Sequence, residues 1–281
     1  MITRHIGTLM KEFAMIYRVG PLFLVLILAS PIAAVADPPD PDDIVNRMIE
    51  AVGGDAFAEL GVVELEVHEE QTRNDGTQTT NDYTLIVDTR NLANLRLEYP
   101  GGAVIGANAA GGWGVANGVM DDRPQTPTMV RKNLNQTAFP LLMPYSLKMN
   151  GVWVKEVRES TLEGRAVWVL AIPFSKGFFL SPVLTTTWLM VVAQDDYSIL
   201  GYEFVPPVEF RKVSPVGVRY RILKHQEVEG AKIAEQILSV GISPQGEESG
   251  LVRVTKTKAS VRRWEPALFL SPAQLEALEE D

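Results

Sequence analysis

The sequence predicts a mainly β fold (α+β class) built on one large, strongly curved antiparallel sheet, and three features indicate it. Apolar and polar residues alternate with period two in many segments, as in residues 62–68, which is typical of strands with one buried face. Short polar turns such as residues 74–77 join these segments, as they do in hairpins. About twelve strand-like segments fall into two groups around one helical interruption, for which a single sheet is the simplest architecture.

The first 36 residues are predicted to be a signal peptide. Arg18 precedes an apolar run of 15 residues, 21–35, which leads to a small-x-small cleavage pattern ending at Ala36. We therefore expect export to the periplasm, with residues 37–281 as a single mature domain. An uncleaved N-terminal anchor is the alternative, although the run is shorter than the roughly 20 residues that span a bilayer. Met15 is an alternative start of translation, because the segment ahead of Arg18 is long for a signal peptide.

Helices are expected at the start and in the middle of the mature chain. Asp40 as N-cap and Pro41 at the first helical position begin a short helix, which Gly53-Gly54 ends. After the first group of strands, a helical insertion is expected at about residues 126–149, with its helix broken at Pro140.

The second group of strands begins with a closely spaced meander, residues 151–206. Further alternating segments follow, and the last long strand is expected at residues 251–261. Ser271 and Gln274 form a capping box that begins a short C-terminal helix.

Composition and charge exclude several classes of function. The chain has no cysteine, which rules out thiolate catalysis, cysteine zinc sites, disulfides and lipid attachment at an N-terminal cysteine. Removal of residues 1–36 takes away three basic residues and one acidic residue, so the net charge changes from −9 to −11. A charge this negative repels phosphate backbones, and we expect no nucleic-acid partner.

No pattern in the sequence indicates catalysis. His68 and His225 stand alone at or near strands, and a metal site would need a third ligand. The acidic pairs fall at expected turns, where solvation explains them better than acid–base catalysis does. These pairs are Asp121-Asp122, Asp195-Asp196 and Glu247-Glu248. We therefore predict a protein that is not an enzyme, with no catalytic residue, no metal and no cofactor; hydrolysis by paired carboxylates is the remaining catalytic alternative.

Two apolar segments stand where polar loops are expected, one beside Pro140 and one after Pro173. They are predicted to line or cover an apolar ligand site, together with two tryptophans from strands. The alternatives are that the segments form a tip that meets a membrane or a partner, or that both fold back and complete the core. The candidate ligand-binding residues are Trp113, Phe139, Leu141, Leu142, Met143, Phe174, Phe178, Phe179, Leu180 and Trp188.

The order of these parts resembles a known family. A signal peptide, an amphipathic helix ending in Gly-Gly, long hairpins and a helical insertion are followed by the turn Leu162-Glu163-Gly164-Arg165 and the strand pair at residues 191–203. This arrangement is similar to the bacterial lipoprotein-carrier superfamily, which is LolA/LolB-like and includes the RseB-type sensor domain. The resemblance implies an incomplete β-barrel (half-barrel) of about eleven strands that wraps a hydrophobic cavity under short lid helices. It also implies binding of lipid or lipoprotein acyl chains in the periplasm.

The sequence thus predicts a periplasmic carrier whose partner is a lipid or an acylated lipoprotein, with an envelope membrane protein as a further candidate partner. The alternative is an envelope sensor or scaffold that binds a protein partner without lipid. Replacing Phe178 and Phe179 with serine is expected to weaken ligand binding and leave the fold intact if the segment is a lid.

Overall fold

The structure is a computed structural model that describes residues 39–206, 217–243 and 246–280. The expected signal peptide, residues 1–36, lies outside the described residues.

The described residues form one antiparallel sheet of thirteen strands. Its spatial order is β6-β5-β4-β3-β2-β1-β13-β12-β11-β10-β9-β8-β7, so two meanders are joined through β1 and β13. The strands are β1 (Val62–Thr72), β2 (Gln78–Asp88), β3 (Leu95–Glu98), β4 (Val104–Asn108), β5 (Gly111–Ala116), β6 (Val119–Met120), β7 (Glu156–Leu162), β8 (Arg165–Ile172), β9 (Trp188–Ala193), β10 (Ile199–Phe204), β11 (Gly217–Val228), β12 (Ala231–Ile242) and β13 (Glu248–Arg262). The prediction of a mainly β protein with a single large antiparallel sheet is confirmed. The sheet does not close into a barrel, because β6 and β7 are left as its two edges.

Four α-helices and two 3₁₀ turns accompany the sheet in the described part of the chain. They are α1 (Pro41–Ala51), α2 (Ala56–Glu59), α3 (Thr126–Leu141), the 3₁₀ turns Tyr145–Lys148 and Pro266–Leu268, and α4 (Pro272–Glu279). The Asp40 carboxylate accepts from the Asp42 amide at 2.9 Å, and the Ser271–Gln274 capping box is present, as predicted. None of these helices combines the length and the apolarity that a membrane span requires.

Helix α3 runs past the proline that was expected to break it. Pro140 lies in the last turn of α3, where its missing N–H removes only one hydrogen bond of the ladder. Two residues later, the bond from the Leu142 amide to the Ala138 carbonyl is intact at 3.0 Å. The helix therefore carries Phe139 and Leu141 onto the sheet before it ends.

One face of the sheet, here called the inner face, carries most of the core. Directly paired residues of neighbouring strands lie on the same face, and an apolar row crosses the second meander. This row is Tyr220, Tyr202, Met190, Leu170 and Val157. The inner face is covered by α1, by α3 and by residues 173–187, the aromatic loop between β8 and β9. Gly112 allows the close approach of α3, since a Cβ there would lie 2.6 Å from the Pro127 carbonyl oxygen.

The opposite, outer face is partly covered by the C-terminal segment. Leu268 and Phe269 pack against Val62 and Ile86 in a second, smaller apolar cluster. The Phe269 carbonyl accepts hydrogen bonds from Trp113 Nε1 and from Asn108 Nδ2, each at 3.0 Å. The chain end therefore binds the first meander on the side away from α3.

Candidate functional site

Five rings from three elements form an aromatic cluster on the inner face. The centroid of the Phe139 ring, on α3, lies 5.1 Å from that of Phe174, 5.7 Å from that of Phe179 and 5.4 Å from that of Trp188. Phe178 completes the cluster at 4.8 Å from Phe179, and all five side chains are buried. Edge-to-face contacts of this kind stabilise beyond simple burial, and they fix the aromatic loop against α3.

The cluster continues onto the sheet as a stack of three rings from neighbouring strands. Trp188, Tyr202 and Tyr220 are stacked, with centroids 6.2 Å apart in the first pair and 5.0 Å apart in the second. Flat aromatic faces thus line the inner side of β9, β10 and β11.

Helix α3 and the aromatic loop together form what is here called the cover of the inner face. Polar contacts attach this cover to the sheet and the loop to the helix. The Tyr202 hydroxyl donates to the Pro140 carbonyl at 2.9 Å, which holds the end of α3 on β10. Asn135 Nδ2 of α3 donates to the Phe178 carbonyl of the aromatic loop at 3.1 Å. Helix α3 and the aromatic loop are therefore tied to each other and rest on the sheet together.

A cavity of about 240 Å³ lies between α3 and the inner face. Its apolar wall includes Leu141, Phe179, Leu184 and Trp188. Cavities that hold drug-sized ligands measure about 300–1,000 Å³, so this one is smaller than the usual size.

The other wall of the cavity is polar and comes from the long central strands. Glu69 Oε1 accepts from the Tyr83 hydroxyl at 3.2 Å and lies 3.8 Å from Arg253 Nη1. Burial, together with the charge of Glu69, raises the pKa of Tyr83 above its usual value. Burial raises the pKa of Tyr220 to about 12. Both phenols therefore stay protonated near neutral pH and act as neutral hydrogen-bond donors.

Comparison with solved structures decides which fold this is. A LolA superfamily protein from Nitrosomonas europaea matches at a TM-score of 0.55 with 13% identity, over 80% of this chain and 97% of that one. The fold is that of the LolA superfamily. A DUF1329 family protein from Desulfovibrio piger matches at 0.52 with 12% identity, over 84% of this chain and 99% of that one. The LolA-type fold agrees with the resemblance drawn from the order of the sequence elements.

Comparison at the level of sequence gives no match to this chain. No protein-family model matches it, and no curated protein does.

The structure places three of the ten sequence-predicted residues on the cavity wall and five more in the core of the inner face. Leu141, Phe179 and Trp188 line the cavity. Five more, all buried in the same core, are Phe139, Phe174, Phe178, Leu142 and Met143. Leu180 is 44% exposed at the surface of the aromatic loop. Trp113 lies on the outer face under the C-terminal segment, so the structure does not bring it to this site.

Sequence reasoning missed the polar wall of the cavity. Glu69 continues the inner positions Val63, Leu65 and Val67 of β1, whereas a charged residue of a strand is ordinarily expected in solvent. The alternation of apolar and polar residues along β1 is lost at this point, because two acidic residues, Glu69 and Glu70, follow one another. Arg253 follows the same two-residue spacing on β13 and gives a comparable signal, a charged residue in an inner position of a long strand.

The other polar groups weighed in the sequence lie at the surface. His68 on the outer face lies 2.6 Å from Asp82 and 3.2 Å from Glu70, and its hydrogen bond to Asp82 raises its pKa above the usual value. Asp195 and Asp196 both contact Arg165, at 2.6 and 3.1 Å, in an exposed turn. Within the residues that the structure describes, no three histidine, aspartate or glutamate side chains are close enough to hold a metal ion.

Proposed function

We propose that this chain is a periplasmic carrier that binds a lipid or the acyl chains of a lipoprotein. One observation carries the proposal: the apolar inner face of an open sheet is covered by a helix and an aromatic loop, with a cavity left between cover and sheet. A cover of this kind can move without breaking the sheet, and its movement would expose a continuous apolar and aromatic surface. The LolA-type fold supports the same function, because that superfamily includes lipoprotein carriers.

The energetics require such a surface. Each CH₂ group removed from water contributes roughly 0.8 kcal/mol, so a sixteen-carbon chain needs on the order of 10 kcal/mol of apolar shelter. The closed cavity is too small for a whole chain, and the aromatic cluster fills the space beside it. We therefore propose that the ligand displaces α3 and the aromatic loop and takes over their contacts with the stacked rings of Trp188, Tyr202 and Tyr220.

The N-terminal segment supports a site of action in the periplasm. Residues 1–36 have the order of a secretory signal, with an apolar run followed by a small-x-small cleavage pattern. A cleaved chain would carry ligand through the periplasm, whereas an uncleaved one would work from the membrane surface.

An open sheet edge favours a second candidate, an envelope sensor or scaffold that binds a protein. Strand β7 is one edge of the sheet, and Trp153, just before it, is 46% exposed. An exposed edge can accept an extended segment of a partner as an additional strand.

Native mass spectrometry of protein purified without detergent separates the two candidates. A carrier should retain a bound mass that matches a lipid or an acylated peptide, or take up lipid from added vesicles. A clean ligand-free mass with no uptake would contradict the carrier function and favour the protein-binding candidate.

A matched pair of variants tests whether the ligand binds on the inner face. Leu184→Ser changes a half-buried side chain of the cavity wall and should reduce lipid uptake severalfold, since apolar contact area is lost. Leu180→Ser changes an exposed residue of the same loop and should leave uptake unchanged. Phe178 and Phe179 are poorer targets, because both are buried in the aromatic cluster and their replacement also removes core packing. Equal uptake by the two leucine variants would place the ligand elsewhere.

A further inference from the structure

We propose that the polar wall of the cavity is a head-group site for a zwitterionic phospholipid, one whose head carries a phosphate and a primary ammonium group. This inference rests on the proposed carrier function and names the class of lipid that the site selects.

Two opposite charges face the cavity but pair only loosely. Glu69 of β1 and Arg253 of β13 stand 3.8 Å apart, which is beyond hydrogen-bond distance. On the outer face of the same two strands, Glu64 and Arg262 form a close pair at 2.8 Å. The inner pair therefore retains capacity to bind other charged groups.

The hydrogen bonds that Arg253 and Glu69 already make leave part of each charged group available to a small ligand. Arg253 donates from Nε and Nη2 to Gln71 Oε1, a neutral acceptor, at 3.3 and 2.8 Å, and its Nη1 makes only the loose contact with Glu69. Glu69 accepts one hydrogen bond, from Tyr83, through Oε1. A guanidinium suits a phosphate, and a carboxylate suits an ammonium.

Neutral groups on both sides of the cavity, Gln136 on α3 and Tyr220 on β11, also lack partners. Gln136 Oε1 is buried and has no hydrogen-bond partner among the described residues, a condition that costs free energy unless a ligand or water relieves it. The Tyr220 hydroxyl likewise makes no hydrogen bond within the part of the chain that the structure describes, and it stays protonated. The first is an acceptor for an ammonium N–H, and the second is a donor to a phosphate oxygen.

The size and position of the cavity fit a head group joined to apolar chains. At about 30 Å³ per molecule, its 240 Å³ corresponds to about eight waters. This space suits a compact polar group, and the apolar wall formed by Leu184 and Trp188 begins directly beside it. A head group bound at Arg253 would therefore direct its chains under α3 and the aromatic loop.

The charges also discriminate among head groups. A phosphate alone, as in a singly anionic lipid, would gain Arg253 but meet the negative charge of Glu69. A choline head has the positive charge but no N–H to donate to Glu69 or Gln136. An ethanolamine head supplies both the phosphate and three ammonium N–H donors.

The test is competitive uptake from vesicles that contain equal amounts of phosphatidylethanolamine, phosphatidylcholine and phosphatidylglycerol with identical acyl chains. The full chain, purified without detergent, is incubated with the vesicles, separated by centrifugation and analysed by native mass spectrometry. We expect complexes with phosphatidylethanolamine to exceed each of the others about tenfold, as one charge-assisted hydrogen bond allows. In Glu69→Gln this preference should disappear, whereas Glu66→Gln, which changes an outer-face carboxylate of the same strand near Lys258, should keep it.

The outcomes separate this inference from the carrier function. Equal uptake of the three lipids, a preference for phosphatidylglycerol, or an unchanged preference in Glu69→Gln would overturn the head-group site and leave the carrier function standing. Uptake of none of them would overturn both. The comparison of the three lipids in the unaltered protein does not depend on the folding of any variant.

Discussion

Gly106 shows how a single residue fixes the outer face of the first meander. It lies opposite Trp113 in the pairing of β4 with β5, and a Cβ at this position would overlap the indole ring. The indole also lies over Arg96, with the guanidinium carbon 5.6 Å from the ring centroid. A residue without a side chain is therefore what lets Trp113 lie flat on the sheet and reach the Phe269 carbonyl.

Gly106→Ala should accordingly lower the free energy of unfolding by about 1–3 kcal/mol, because the added methyl overpacks the site. Gly101→Ala is the matched control, since a Cβ there meets no atom within 4 Å and the change should stay within about 0.5 kcal/mol. Urea unfolding of the two variants measures both effects. Equal stability of the two would mean that the indole does not rest on Gly106.

Single residues also show where sequence reasoning succeeds and where it stops. Leu141 and Phe179 could be found because apolar residues in expected loops are unusual, and Trp188 was added as a tryptophan of a strand; all three line the cavity. Trp113 was included because a large aromatic side chain is common in the wall of a ligand site. The face of the sheet on which it lies, however, depends on strand register and on packing of the chain end, and neither is a local property of the sequence. Glu69 was missed for the converse reason, because a charged residue of a strand is ordinarily expected in solvent.

At the scale of elements, α3 is the part of the molecule on which a lid mechanism depends. Its buried residues Leu134, Ala138 and Phe139 face the sheet, and the Tyr202 hydroxyl anchors its last turn through the Pro140 carbonyl. The Asn135 bond to the Phe178 carbonyl links the aromatic loop to the same helix. In the proposed lid mechanism, this bond would couple the movement of the loop to that of α3.

Tyr202→Phe should loosen the cover without removing the stacked ring. Loss of one hydrogen bond lowers the free energy of local opening by about 0.5–1.5 kcal/mol, so backbone amides of α3 should exchange severalfold faster with deuterium. Tyr197→Phe is the control, because the Tyr197 hydroxyl makes no hydrogen bond in the described residues. Identical exchange of α3 in both variants would show that the Tyr202 anchor does not restrain the helix.

Element boundaries were predictable where a side chain itself fixes the backbone. Asp40 and Ser271 cap their helices as expected, because a cap is a contact between residues two or three positions apart. The end of α3 was not predictable from Pro140 alone, since a proline breaks a helix only where further turns would follow it. Packing against the sheet stabilises the last turn of α3, so the helix ends at Leu141.

At the scale of the whole molecule, the decisive feature is the pairing of β1 with β13. It joins residues as distant in sequence as Val62 and Arg262 and turns two separate meanders into one sheet. Alternation within each strand predicts its buried face, but no local pattern indicates which other strand it pairs with. The open sheet and its apolar inner face could thus be predicted, whereas the size of the cavity and its polar wall depend on register across the whole sheet.

The two faces of the sheet are covered by different parts of the chain. The inner face meets a cover of one helix and one loop, and the outer face is partly covered by the chain end. A ligand that enters beneath the cover should come close to Trp188 and stay far from Trp113, because the sheet separates the two indoles.

The most direct test of the carrier function is quenching of tryptophan fluorescence by a phospholipid with brominated acyl chains, measured in the unaltered protein, in Trp188→Phe and in Trp113→Phe. The account predicts strong quenching in the unaltered protein and in Trp113→Phe, and loss of most of it in Trp188→Phe. Equal quenching in the two variants, or none in the unaltered protein, would contradict binding of acyl chains on the inner face.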